Sequence, residues 1–193
     1  MSAAFDAPIA PETLDQARQG ERRAQESIYR GYERAVYNLA RRMTSDPDAA
    51  SDITQDTFLH AFKNLHQYRG ESPFGHWLRA VAASKALMHL RAGRRFLELF
   101  APDADISETV GLEDVSTLDL ENALGLLPPV PRSVLWLYHV EGYTHPEIAQ
   151  MCGKTVSFSK SQLSRAHQKL RQVLDGGNAS AHKVTEAAMP ELP

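Results

Sequence analysis

The first half of the chain carries apolar residues at helical spacing. Leu14, Ala17, Ala24, Ile28, Tyr32, Val36, Leu39 and Met43 follow one another at intervals of three, four or seven, the period of one face of an α-helix. Asp46-Pro47 marks a stop and a new start, since proline fits only the first turn of a helix. A second helix then points Ala50, Ile53, Phe58, Ala61, Phe62 and Leu65 inward. Tyr68 to Pro73 reads YRGESP, which has turn chemistry. A third helix is predicted from about Phe74 to Gly93, with Trp77, Leu78, Val81, Leu87 and Leu90 apolar. In the second half, Leu120, Ala123, Leu124 and Leu127 form a short helix closed by Pro128-Pro129, and Arg132 to Glu141 forms another. No segment alternates strongly with a period of two, so the predicted class is all-α.

The most informative stretch runs from Thr144 to Leu170. Thr144 is placed to cap a helix, with Glu147 three residues on to complete a capping box and Pro146 in the first turn. Gly153 follows at a position suited to a left-handed helix end. The next helix sets Lys160, Ser161, Gln162, Ser164, Arg165 and Lys169 on one side, and Leu163, Ala166, Leu170 and Val173 on the other. Two helices around a tight turn, the second polar and basic, make a helix-turn-helix suited to a DNA major groove.

The pattern divides the chain into an N-terminal extension over residues 1–12, a helical domain over 13–96, an acidic flexible linker over 97–117, a helix-turn-helix domain over 118–175 and a disordered tail over 176–193. Charge supports the division. The net charge of −3 is unpromising for a nucleic-acid partner, but it is not evenly spread. Glu98, Asp103, Asp105, Glu108, Glu113, Asp114, Asp119 and Glu121 stand in and beside the linker with no Lys or Arg among them. Arg79, Lys85, Arg91, Arg94 and Arg95 precede it with no acid. After it, Arg132, Lys154, Lys160, Arg165, Lys169 and Arg171 outnumber Glu141 and Glu147. Local patches, not whole-chain charge, decide phosphate binding.

Other function classes find little support. The histidines are scattered, with no acid or cysteine at metal-ligand spacing, and neither a phosphate-binding glycine loop nor a nucleophile-elbow motif is present. No metal, cofactor or enzymatic activity is expected. Cys152 stands alone, which excludes an internal disulfide and suits a reducing cytoplasm; a packing role is the simpler reading of it. There is no apolar run of about 18 residues, so no membrane span is expected.

Two further segments carry candidate chemistry. Asp52, Gln55 and Asp56 share one helix face, which suits a basic partner surface as well as plain solvation. Tyr68 to Trp77 mixes aromatics with Gly, Ser and Pro just before the basic helix, a composition that suits single-stranded DNA, which needs stacking surfaces and cations together. Phe74 and Trp77 read equally as core residues locking the turn to the helix.

Taken in order, DITQDTFLHAF (52–62), YRGESPFGHWLRAVAASKALMHLR (68–91) and LPPVPRSVLWLYHVEGYTHPEIAQMCGK followed by KSQLSRAHQKLR (127–171) resemble bacterial RNA polymerase sigma factors of the extracytoplasmic-function (ECF) type in the sigma-70 family. The resemblance covers about Leu14 to Leu174. It implies a first domain that binds core RNA polymerase, at the clamp helices of the β′ subunit and at the β subunit, through Asp52, Gln55, Asp56 and Phe58. It implies a melted −10 strand held by Tyr68, Arg69, His76, Trp77, Arg79, Ser84, Lys85, Arg91, Arg94 and Arg95. It implies a −35 duplex read by Lys154, Thr155, Ser157, Lys160, Ser161, Gln162, Ser164, Arg165 and Lys169. An anti-sigma factor is a further implied partner. Two departures bear on DNA specificity. Ser84 stands where many relatives carry Asn, and Ser157-Phe158-Ser159 replaces the usual Gly-Thr-Val. Ser159 takes a normally inward position, and Phe158 is expected to turn in and fill it, tilting the recognition helix. A conventional helix-turn-helix regulator and a sigma-like decoy acting through proteins alone are the alternatives.

Overall fold

A computed structural model describes the backbone over residues 3–100 and 120–186, and side chains over 4–93 and 123–173. Among the described residues every regular element is helical. The order is α1 (Pro11–Arg18), α2 (Arg22–Thr44), α3 (Pro47–Lys63), α4 (Phe74–Phe100), α5 (Leu120–Gly125), α6 (Pro129–His139), α7 (His145–Cys152) and α8 (Val156–Glu186), with single 3-10 turns at Ala3–Phe5 and Leu65–Gln67. No described helix is long and apolar enough to cross a membrane.

The first domain is α1 to α4. One unbroken periodicity from Leu14 to Met43 is split in space, because Gly20 turns the chain at φ 86° between α1 and α2. Asp46 starts α3 as expected, its carboxylate accepting from the Asp48 and Ala49 N–H groups at 2.9 and 3.2 Å. The core is the inward stripes of these helices, with Ile28, Tyr32, Val36, Met43, Leu65 and Leu78 almost wholly buried. Burial of side chains of this size stabilises by about 1.5–3 kcal/mol each.

The N-terminal extension is part of this core, which its sequence does not announce. Phe5 is 1% exposed and stacks on Tyr32 with ring centroids 6.4 Å apart. The Tyr32 hydroxyl donates to the Ala7 carbonyl. A Cβ on Gly75 would lie 1.8 Å from the Phe5 carbonyl oxygen, so glycine is required there for the arm to cross the start of α4.

The second domain is α5 to α8. α6 packs on α8, and α7 closes the angle between them. Leu127, Val134, Leu137, Ile148 and Ala166 form its centre. The chain from Gly176 onward, predicted to be a disordered tail, continues as α8 as far as Glu186. No proline interrupts residues 147–189, so nothing in the backbone stops the helix earlier. α4 likewise runs past Gly93 to Phe100, taking in the first four residues assigned to the linker. The rest of the linker, and the tail beyond Glu186, lie outside the described residues.

The two domains are packed together. α6 lies against α2, and α6 and α7 lie against α4. Ser133 Oγ donates to the Met43 carbonyl at 3.1 Å, and the Arg42 guanidinium sits 4.7 Å from the centre of the Trp136 ring. The sequence pattern predicts two bodies on a flexible connector and gives no hint of this packing.

Candidate nucleic-acid and polymerase interfaces

On α3, Asp52, Gln55 and Asp56 are exposed on one strip, as the spacing predicts. Phe58 is not. It is 3% exposed and packs its ring 4.7 Å from Tyr29 and 6.0 Å from Phe62. The helix turns 100° per residue, which carries position 58 well away from the strip and into the core. Leu59, seven residues after Asp52, takes its place on the strip and is 69% exposed. An exposed leucine flanked by two carboxylates and an amide is an apolar contact with a charged rim. Continuing the interval from Asp52 through Gln55 and Asp56 to position 59 would have found it.

The turn from Tyr68 to Pro73 is pinned by its own side chains. The Tyr68 hydroxyl donates to the Ser72 carbonyl at 2.6 Å. Its ring meets Phe74 edge-on at 5.4 Å and Trp77 at 5.8 Å. Phe74 is buried, whereas Tyr68 and Trp77 are half-buried. Arg69 is exposed. His76 pairs with Asp6 of the N-terminal arm at 3.2 Å, which fixes its ring over the start of α4. Ser84 and Lys85 are half-buried one helical stretch further on.

Two of the α4 cations are engaged by the second domain. Arg79 is 6% exposed. Its Nη1 donates to the Glu141 carbonyl at 3.2 Å and to Glu141 Oε2 at 3.3 Å, and its guanidinium lies 5.0 Å from the centre of the Tyr143 ring. Glu141 is itself 3% exposed and accepts from Trp136 Nε1 at 3.1 Å. Arg79 is therefore not on an open DNA face in this arrangement, contrary to expectation. A basic residue three positions after His76 reads as surface charge until an acid 62 residues away covers it. Arg91 remains exposed, but its Nη2 donates to the Cys152 carbonyl at the end of α7. The side chains of Arg94 and Arg95 lie outside the described residues.

The helix-turn-helix forms as its sequence dictates. The Thr144 N–H and hydroxyl both donate to Glu147 Oε2 at 2.7 Å, and the Glu147 N–H donates to Thr144 Oγ1 at 3.4 Å. These bonds hold the Glu147 carboxyl below its ordinary value of 4.5, the backbone bond contributing most. Gly153 ends α7 in the left-handed region, at φ 55° and ψ 41°. Thr155 Oγ1 accepts from the Phe158 N–H at 3.2 Å, so its hydroxyl caps the start of α8.

Lys154, Ser157, Lys160, Ser161, Ser164 and Arg165 are exposed on and before α8, and Lys169 is half-buried. Gln162 departs from the expected set. It is 6% exposed, because it lies between Ser159 and Ala166 on the stripe that packs inward. Ser159 fills its own inward position without help. It is fully buried, and its Oγ is 3.0 Å from His145 Nδ1 in a hydrogen bond that ties the start of α7 to α8. Phe158 also packs against the core, half-buried, beside it. The His145 ring stacks on Tyr138 at 4.5 Å and 20°. Neither His145 nor Tyr138 stands out in the sequence as a support for the recognition helix.

Cys152 is 4% exposed, and burial pushes its thiol above the ordinary value of 9.0, which favours the inert protonated form. Among the described residues no three metal-binding side chains gather.

Comparison with known proteins agrees with this geometry. The family model described as Sigma-70 region 2 matches residues 28–96, and that described as Sigma-70, region 4 matches residues 117–170. The ECF RNA polymerase sigma factor SigE of Mycolicibacterium smegmatis is 30% identical over 160 residues, covering 77% of this chain and 61% of the relative. The ECF RNA polymerase sigma-E factor of Haemophilus influenzae is 28% identical over 183 residues, covering 84% of this chain and 96% of the relative. The chain thus spans about three-fifths of the first relative's length and nearly all of the second's. Among solved structures, CnrH in complex with the cytosolic domain of CnrY aligns over 85% of this chain and 96% of that one, at TM-score 0.50 and 25% identity. The sigma factor RpoE in complex with the anti-sigma factor NepR from Bartonella quintana shares the fold at TM-score 0.52 and 24% identity, over 78% of this chain and 96% of that one.

Proposed function

Since the chain belongs to the sigma-70 family of bacterial RNA polymerase sigma factors, in its ECF group, we propose that it binds core RNA polymerase through α3 and carries it to promoters. Asp52, Gln55, Asp56 and Leu59 form the polymerase-facing strip, with the clamp helices of β′ as the expected partner. Lys160, Ser161, Ser164 and Arg165 read the −35 duplex in the major groove, where Arg or Lys pairs with guanine and Ser contacts bases or phosphates. Lys154, Ser157 and the start of α8 meet the adjoining phosphates. Tyr68, Trp77, Arg69, His76, Ser84, Lys85, Arg91, Arg94 and Arg95 hold the melted −10 strand. Stacking on aromatic faces is worth about 1–3 kcal/mol per base, which offsets much of the cost of unstacking a duplex. The polymerase performs the chemistry, and no catalytic step falls to this chain.

One observation carries the reading. A single chain presents an acidic and apolar strip on α3 and a polar, basic face on α8, on separate domains and both open to solvent. A regulator that binds DNA alone has no use for the first, and a decoy that binds proteins alone has no use for the second. Control by an anti-sigma factor fits this reading too, as the RpoE relative is seen in complex with the anti-sigma factor NepR. Promoter-directed run-off transcription with purified core tests the reading. Specific transcripts from a subset of genomic promoters are expected. Absence of transcripts from every promoter tried would overturn it.

A further inference from the structure

The N-terminal arm lies ahead of the Sigma-70 region 2 match, which begins at residue 28, yet it is fastened to the start of α4. Phe5 is buried against Tyr32, and the Ala7 carbonyl accepts from the Tyr32 hydroxyl. Gly75 leaves room for the Phe5 carbonyl to cross it. Asp6, between these two anchored residues, is exposed and reaches His76 in the first turn of α4, its Oδ1 3.2 Å from Nε2.

Tyr32 serves both sides of this contact. Its ring stacks on Phe5 of the arm and meets Phe74 edge-on at 5.7 Å. Phe74 in turn backs Tyr68 at 5.4 Å and Trp77 at 5.6 Å, the two rings proposed to stack on bases. The arm and the aromatic row thus share one buried foundation, and His76 stands between Phe74 and Trp77 in the sequence.

Surface ion pairs between two long, free side chains add little stability. The pair of Asp6 and His76 differs in kind. Both side chains are short, and both are carried on backbone held by buried neighbours, so the bond fixes a ring at little ordering cost. With Nε2 engaged by Asp6, Nδ1 is the ring nitrogen left for a ligand. A histidine without this bond must be immobilised when a strand arrives, which costs affinity. Asp6 also carries the wrong charge for contact with phosphate, so its role runs through His76 rather than through DNA directly.

We propose that Asp6 is a positioning residue for strand capture, holding His76 beside the Tyr68 and Trp77 rings through an arm that the family match does not include. This rests on the reading of that surface as the −10 strand site. Full-length Asp6→Ala, Asp6→Asn, His76→Ala and the double variant Asp6→Ala with His76→Ala test it, each joined to purified core. The readout is anisotropy with a fluorescent single-stranded oligonucleotide of mixed sequence, with core alone as the baseline. Asp6→Ala should weaken binding about fivefold, the scale of one side chain left to be ordered, with an unchanged thermal transition. Loss of a negative charge would by itself tighten binding to DNA, so the sign separates the two effects. Asp6→Asn keeps an acceptor for Nε2 and should bind at least as well as the wild type. His76→Ala should lose at least as much as Asp6→Ala, and adding Asp6→Ala to it should weaken binding no further, because Asp6 acts through His76 alone. Asp6→Ala that binds as tightly as the wild type would overturn the proposal. So would Asp6→Asn as weak as Asp6→Ala, His76→Ala without effect, or losses that multiply in the double variant. Failure of the function reading looks different and takes the proposal with it: the wild-type chain would add no strand binding to core, and no promoter would yield a transcript.

Discussion

Two helices of the first domain, α3 and α4, present their charges in opposite ways. On α3, the residues of interest stand open to solvent on a strip that owes nothing to the second domain. On α4, Arg79 and Arg91 are claimed by that domain before any DNA arrives. Charge and spacing alone point to both helices. Spacing shows which side chains share a face, and the tertiary contact decides whether the face is available.

Several changes separate these regions further. The largest loss is expected from Lys160→Ala combined with Arg165→Ala. With each base contact worth about 1–3 kcal/mol, −35-dependent initiation should fall by roughly 30-fold or more while core binding is kept. Footprinting on duplex DNA alongside co-elution with core checks both halves. Gly75→Ala comes next. The added methyl meets the Phe5 carbonyl and Tyr32, so the arm must shift, at a cost of about 1–3 kcal/mol read from urea unfolding. Leu59→Ser should weaken core binding by roughly tenfold with no loss of fold, since this side chain is already exposed. Thr144→Ala has the smallest effect, about 1 kcal/mol of second-domain stability. The capping box also sets a pH dependence. Because the Glu147 carboxyl is held down in the folded chain, its contribution is full above the ordinary value of 4.5 and fades as pH falls through the lowered value. The stability difference between wild-type chain and Glu147→Gln should be present at neutral pH and shrink only in the acid range.

Local features are legible in the sequence where short-range chemistry decides them. The capping box at Thr144 and Glu147, the left-handed Gly153, the Asp46 cap and the acidic strip all follow from residues within one or two turns of each other. The same holds for the two-helix shape of the segment from Thr144 to Leu170. Expectation and structure part where distant residues decide. Phe58 is inward by its period, as it is in the structure, and only the family resemblance implies a polymerase contact for it; Gln162 is read on the outer face of its helix but is buried. Phe5 gives no periodic signal, because its partners Tyr32 and Gly75 lie far along the chain. Arg79 looks like any surface arginine until Glu141 is folded against it. The departure at Ser157-Phe158-Ser159 is visible in the sequence, but not its resolution, because the bond that settles Ser159 comes from His145 of the preceding helix.

Every proposed role of this chain requires its attachment to polymerase, proposed to lie on α3. Charge reversal of the strip, Asp52→Lys with Asp56→Lys, tests it directly by size-exclusion co-elution of the full-length chain with purified core. Both residues are exposed, so the thermal transition should be unchanged, while affinity for core should fall by on the order of 100-fold. If the doubly changed chain still co-elutes with core as the wild type does, α3 is not the attachment and the account is wrong at its centre.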